Sequence, residues 1–136
     1  MCFSGLDPSG GAGLQADIET LFSIGCHCSP QVTALTVQNT QNVISVTPTE
    51  PTQLIQQARA VLEDMPVHAF KIGLIGSVAC VEVLHTLLTD YPDLPVILDP
   101  IISAGGGKEL SDDEMIEAVR TLLLPLTTLL TPNSDE

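Results

Sequence analysis

Four polar residues each stand at the end of an apolar run: Asp7 after Cys2-Phe3-Ser4, Gln38 after Val32 to Val37, Asp99 after Val96-Ile97-Leu98, and Asn133 after Thr128 to Thr131. Polar side chains grouped beyond strand ends can bind and orient a small molecule. An amide such as Gln38 does this by offering a donor and an acceptor side by side. The first of the four lies in the stretch from Gly5 to Asp17, Gly-Leu-Asp-Pro-Ser-Gly-Gly-Ala-Gly-Leu-Gln-Ala-Asp, where turn chemistry is concentrated. Pro8 fixes one φ angle, and Gly10, Gly11 and Gly13 allow another backbone or a ligand to come close. A helix opening here turns unpaired N–H groups and a positive dipole end toward the crevice, which suits an anionic or polar ligand. The stretch has neither the Lys-Ser/Thr ending of a P-loop nor the spacing Gly-x-Gly-x-x-Gly of a dinucleotide fingerprint. It reads equally well as a tight strand-to-helix connection and as a ligand cradle.

Other reactive residues offer less. Cys26-His27-Cys28 is one residue short of the usual Cys-x-x-Cys half-site, and no second cluster completes four ligands, so it reads as a turn entering a strand. His68 and His85 have no neighbouring ligand pattern and read as surface or packing residues. Cys2, Cys26, Cys28 and Cys80 are too scattered for a disulfide framework.

The elements that must hold the polar residues alternate in type. Leu14, Ile18, Leu21, Phe22 and Ile24 recur at helical spacing and predict one buried stripe, stopped at Gly25. Val32 to Val37 predicts a strand covered on both faces, and Val43 to Val46 a second short one. A helix follows from about Thr52 to Asp64 with Leu54, Ile55, Ala58, Val61 and Leu62 inward, then a buried strand over Ala69 to Ile75. Ser77 caps a helix carrying Val78, Val81, Leu84 and Leu88. Val96 to Leu98 is the next strand, followed by a loop with Gly105-Gly106-Gly107. Ser111 with Glu114 predicts a capping box, and the last helix turns Met115, Ile116, Val119 and Leu122-Leu123 inward until Pro125 ends it. Thr128 to Thr131 closes the series as a strand. Such alternation predicts an α/β fold, three layers with a mostly parallel sheet between helices.

Composition limits what such a domain does. Four Lys+Arg against 17 Asp+Glu give a formal charge of −13, which argues against nucleic acid and anionic membranes as partners. The 136 residues are 44% hydrophobic, enough for one domain with a real core. Apolar runs are broken well before the roughly 18 residues of a membrane span, and no basic signal start is present. A cytoplasmic protein with reduced thiols is expected.

Four motifs occur in order: Ser4-Gly5-Leu6-Asp7-Pro8-Ser9-Gly10-Gly11-Ala12-Gly13 with Asp17, Thr33-Ala34-Leu35 through Gln38-Asn39-Thr40, Lys71-Ile72-Gly73-Leu74, and Leu98-Asp99-Pro100 with Thr131-Pro132-Asn133-Ser134-Asp135-Glu136. Together they resemble the hydroxymethylpyrimidine/phosphomethylpyrimidine kinases of thiamine biosynthesis, in the ribokinase-like superfamily. The resemblance implies ATP-dependent phosphorylation of 4-amino-5-hydroxymethyl-2-methylpyrimidine and then of its monophosphate, with ATP and Mg²⁺ as cofactors. It implies that Gln38 bonds the pyrimidine, that Gly5, Ala12 and Asp17 line its pocket, and that Leu74 and Ile101 form apolar walls. By the same resemblance Asp99, Asn133 and Glu136 face the phosphates and Mg²⁺ without ligating the metal directly. The bland readings are a strand-end glutamine, a dipole-facing Asp17, a turn-forming Asp99 and a frayed Glu136.

The family continues for roughly as long again after the position of Glu136, and it starts a few residues before Cys2. The resemblance therefore implies that residues 1–136 are the N-terminal, substrate-binding portion of one ribokinase-like kinase domain. It places the glycine-rich anion hole, the residue serving the acceptor hydroxyl and most of the nucleotide pocket elsewhere, with no catalytic residue in this segment. It leaves room for a homodimer. Alternatives are a pyridoxal kinase of the same superfamily, a non-catalytic ligand-binding module, and a truncated product too exposed at its sheet edge to fold.

Overall fold

The computed structural model describes residues 1–102, 111–134 and 136. Its centre is β1 (Cys2–Leu6), a five-residue strand buried from Cys2 to Gly5. Successive side chains on a strand point to opposite faces. Cys2 accordingly joins a small core with Leu14 and Cys28, while Phe3 joins the main core on the other side.

Around it the chain builds β2 (Pro30–Gln38), β3 (Val43–Pro48), β4 (Phe70–Ile72), β5 (Val96–Leu98) and β6 (Leu129–Leu130). They lie in the order β3-β2-β1-β4-β5-β6, parallel throughout except that β3 runs antiparallel to β2. Pro48 ends β3 at the edge of the sheet, where a missing N–H breaks no ladder bond. The order turns outward from β1 in both directions. This creates a crevice beyond the strand ends.

The helices are α1 (Gly13–Ser23), α2 (Pro51–Asp64), α3 (Val78–Asp90) and α4 (Asp113–Ala118). Three of them start on side-chain caps: Glu50 accepts from the Gln53 N–H at 3.1 Å, Ser77 from that of Cys80 at 3.2 Å, and Asp112 from that of Met115 at 2.9 Å. Packed together, α2, α3 and α4 cover the sheet over Phe3, Phe70, Ile72 and Leu98, with Leu54, Leu84, Leu87 and Leu123 fully buried. The Phe3 and Phe70 rings lie 6.0 Å apart and Tyr91 meets Phe70 edge-on at 6.3 Å. Each such side chain contributes about 1.5–3 kcal/mol by leaving water. Among the described residues only α1 lies on the opposite face, against β1 and β2.

Several expectations need correction. Leu35 and Val37 are more than half exposed, so β2 is not covered on both faces beyond its middle: the cluster under α1 takes in Val32 but neither Leu35 nor Val37. Phe22 and Ile24 are 81% and 67% exposed, so the α1 stripe stops at Leu21, and among the described residues nothing covers the last turn. The last helix is capped by Asp112 rather than Ser111, whose hydroxyl bonds the Ile101 carbonyl at 3.2 Å. That helix does not break at Pro125 either. It widens to a π turn (Val119–Leu123) and then narrows to a 3-10 turn (Leu124–Leu126) that accommodates the proline. Finally, β4 ends at Ile72 rather than Ile75. The Gly105-Gly106-Gly107 loop lies outside the described residues.

Candidate functional site

The turn after β1 is organised by Asp7, which is 5% exposed. Its Oδ1 accepts the Ser9 N–H at 2.8 Å and the Ser9 hydroxyl at 2.7 Å, and its Oδ2 accepts the Ala12 N–H at 2.9 Å. One carboxylate thus gathers five residues of loop around itself. Gly13 opens α1 at φ +59°, and a Cβ there would stand 2.3 Å from the Gly5 carbonyl oxygen. No side chain fits, so the helix start is held directly against β1. Ala12 gives that helix no side-chain cap, and its first turn begins at the cavity wall.

The cavity is a cleft of about 300 Å³ beyond the strand ends. Gly5, Ala12, Gln38, Leu74, Ile101, Asp99, Asn133 and Glu136 all line it, so eight of the nine residues singled out in the sequence meet at one place. The ninth, Asp17, does not line it. Asp17 lies in a groove on the α1 face and pairs with Lys71, Nζ standing 3.1 Å from Oδ1.

Gln38 reaches the cavity from the end of β2. The Thr36 hydroxyl lies 2.8 Å from the Leu6 carbonyl and 3.2 Å from Gln38 Oε1. Both oxygens accept from that one hydroxyl, which holds the Gln38 carbonyl at the cavity edge and leaves the NH₂ group of the same amide to donate elsewhere. Beyond it, Asn39 Oδ1 accepts the N–H groups of Gln41 and Asn42, both at 2.9 Å, and closes the turn into β3.

Asp99 follows β5, its N–H bonded to the Ile72 carbonyl at 2.9 Å. Burial pushes its carboxyl above the usual carboxylate range, Lys71 pulls it back down, and Glu136 and Asp17 push it up again. Glu136 is not frayed: Oε1 accepts from the Ile102 N–H at 3.2 Å and Oε2 from the Asn133 N–H at 3.1 Å. This carboxylate ties the segments after β5 and β6 together. Sequence reasoning had no signal for that bond, nor for Thr36, because both depend on distant strands. Lys71 was legible in principle, as a lone cation inside an otherwise apolar strand. Among the described residues no group of three or more His, Cys, Asp or Glu is placed to hold a metal ion. Cys28 is buried and Cys26 exposed, so the Cys26-His27-Cys28 run is a strand entry.

A six-stranded, mostly parallel sheet with a polar cleft beyond its strand ends is the architecture of the ribokinase-like small-molecule kinases, and the structural comparisons agree. The chain belongs to the phosphomethylpyrimidine kinase family, whose model matches residues 7–136. The hydroxymethylpyrimidine/phosphomethylpyrimidine kinase of Aquifex aeolicus is 35% identical over 136 residues, covering 100% of this chain and 53% of that protein. The crystal structure of phosphomethylpyrimidine kinase from Clostridium difficile superimposes with a TM-score of 0.91 at 34% identity, covering 99% of this chain and 58% of the other. An ADP complex of Bacillus subtilis pyridoxal kinase gives 0.83 at 26% identity, covering 97% and 48%. The chain spans about half the length of the curated relatives it matches.

Proposed function

We propose that this chain supplies the pyrimidine-binding half of an ATP-dependent kinase acting on 4-amino-5-hydroxymethyl-2-methylpyrimidine and its monophosphate, a step of thiamine biosynthesis. The observation that carries this reading is the meeting of the Gln38 amide, the apolar walls Leu74 and Ile101, and the Gly5 and Ala12 backbone in one cleft. Its volume lies at the lower end of the ~300–1,000 Å³ of small-molecule sites. An aminopyrimidine presents an amino group beside a ring nitrogen, and the primary amide of Gln38 complements that pair. Leu74 and Ile101 press the ring flat and keep water from its faces. The ring's alcohol then points toward Asp99, Asn133 and Glu136, where ATP brings the phosphoryl group.

Mg²⁺ fits the donor set at that rim. Asp99 and Glu136 are hard oxygen donors within each other's electrostatic reach, and two carboxylates with water suit an ion that keeps most of its hydration shell. Both would hold the ion through water and so bring positive charge to a chain that has little. Asp17 belongs to the same reading at one remove, as the carboxylate that backs the site through Lys71.

Titration calorimetry with the hydroxymethylpyrimidine tests the proposal. Gln38→Leu leaves the ring's polar edge unpaired and should cost about 1–3 kcal/mol of binding. Unchanged affinity in that variant, or preference for pyridoxal in competition, overturns the assignment of substrate.

A further inference from the structure

Of the four cationic side chains, Arg59 and Arg120 are taken up in surface pairs with Asp90 and Glu117. Lys71 is placed differently. It stands on β4 in register with Cys2 of β1, inside the sheet, with its side chain 27% exposed and that of its partner Asp17 16% exposed. The ammonium holds both oxygens of Asp17, at 3.1 and 3.2 Å.

The path of the lysine depends on a glycine. Gly73 is two residues further along, on the same side of the chain, and a Cβ there would lie 2.9 Å from Lys71 Nζ and 2.6 Å from Ser4 Oγ. Lys71 therefore reaches toward the strand ends through the place a side chain at 73 would fill. The Ser4 hydroxyl borders the same gap, fully buried and without a hydrogen-bond partner among the described residues. Lys71 thus sits at a crossing: Asp17 on α1 to one side, Ser4 on β1 beneath, and Asp99 beyond, whose carboxyl feels its charge.

We propose that Lys71 is a positioning residue for the pyrimidine cleft: its ammonium, seated in the gap left by Gly73, clamps the Asp17 carboxylate and so fixes α1 against β1 and β4 behind the cleft. This rests on the reading of the cleft given above. Without the clamp, Asp17 is a part-buried carboxylate within electrostatic reach of Asp99 in a chain of net charge −13, and repulsion moves it outward. Ala12 and Gly13, which form the cleft wall at the head of α1, move with it.

The test is a mutant cycle on the full chain, read by titration with 4-amino-5-hydroxymethyl-2-methylpyrimidine. Lys71→Met and Asp17→Asn should each weaken binding about 10-fold, and the double variant should lose no more than about 10-fold rather than the product, because the two side chains act as one unit. Lys71→Arg, which keeps a charge able to hold both oxygens, should recover most of the loss. Lys71→Met binding like the parent, multiplicative losses in the double variant, or no recovery with arginine overturns the proposal. Should the parent chain bind no pyrimidine, the reading of the cleft falls and hydrogen exchange decides on Lys71. Amides of Leu14 to Ile18 should then exchange faster in Lys71→Met and return to parental rates in Lys71→Arg; unchanged rates overturn the clamp.

Discussion

The two faces of the sheet are built to different standards. Under α2, α3 and α4 lies a continuous core in which Phe3, Leu54, Phe70, Leu84 and Leu123 are wholly removed from water. Under α1 the core is Cys2, Leu14 and Cys28, with Ile18, Leu21 and Val32 half covered. Leu35 and Val37 on β2, and Phe22 and Ile24 around the end of α1, are exposed. Stability is therefore concentrated on one side, while the other side carries the polar groups behind the cleft, Asp17 and Lys71. A rigid face and a thinly covered one meet at β1, and the loop that shapes the cleft hangs from that strand.

The sharpest way to break the comparison is to hollow each face in turn. Leu84→Ala should lower the urea-unfolding free energy by about 2–5 kcal/mol, and Leu14→Ala by less, because a small cluster collapses around the gap. Equal losses would mean that the thin face is as tightly built as the other. Next in size is Gly13→Ala, where the added methyl meets the Gly5 carbonyl in a left-handed backbone; about 1–3 kcal/mol of strain should appear as lost stability and weakened pyrimidine binding together.

Alkaline unfolding sharpens the contrast from the thin side. Burial, aided by the neighbouring Cys28 thiol, pushes Cys2 from 9.0 up to about 12. A thiol that stays protonated in the fold but ionises once unfolded contributes stability that is complete below pH 9 and is lost as pH rises toward 12. The urea midpoint should fall across that window, and Cys2→Ala should flatten the fall. The smallest effect belongs to Phe22→Ser: at 81% exposure the ring holds nothing together, and unfolding should change by no more than about 0.5 kcal/mol.

Legibility in the sequence followed the same division. Periodicity placed the helices α2 and α3 well, since Leu54, Ala58, Val81, Leu84 and Leu88 are both spaced and buried as helices require. It failed at Phe22, Ile24, Leu35 and Val37, where apolar residues recur at the right intervals but among the described residues no layer lies above them. A spacing pattern reports which side chains share a face, not whether anything covers it. The cleft was legible through its strand-end positions, because topology alone brings Gln38, Asp99 and Asn133 together. The resemblance implied a place for Asp17 at the pocket; one turn into α1 its carboxylate pairs with Lys71 in the groove on the α1 face, a contact between distant elements that spacing could not show.

The loosened end of the last helix has a consequence for how the chain tolerates change in length. A turn closed over five residues stores one residue more than regular α-helical pitch requires. Losing a residue between Val119 and Leu123 would tighten the coil to ordinary pitch with the pairing of Leu129 and Ile97 kept. A deletion in this turn is therefore expected to leave the outermost strand, and with it Asn133 and Glu136, in place.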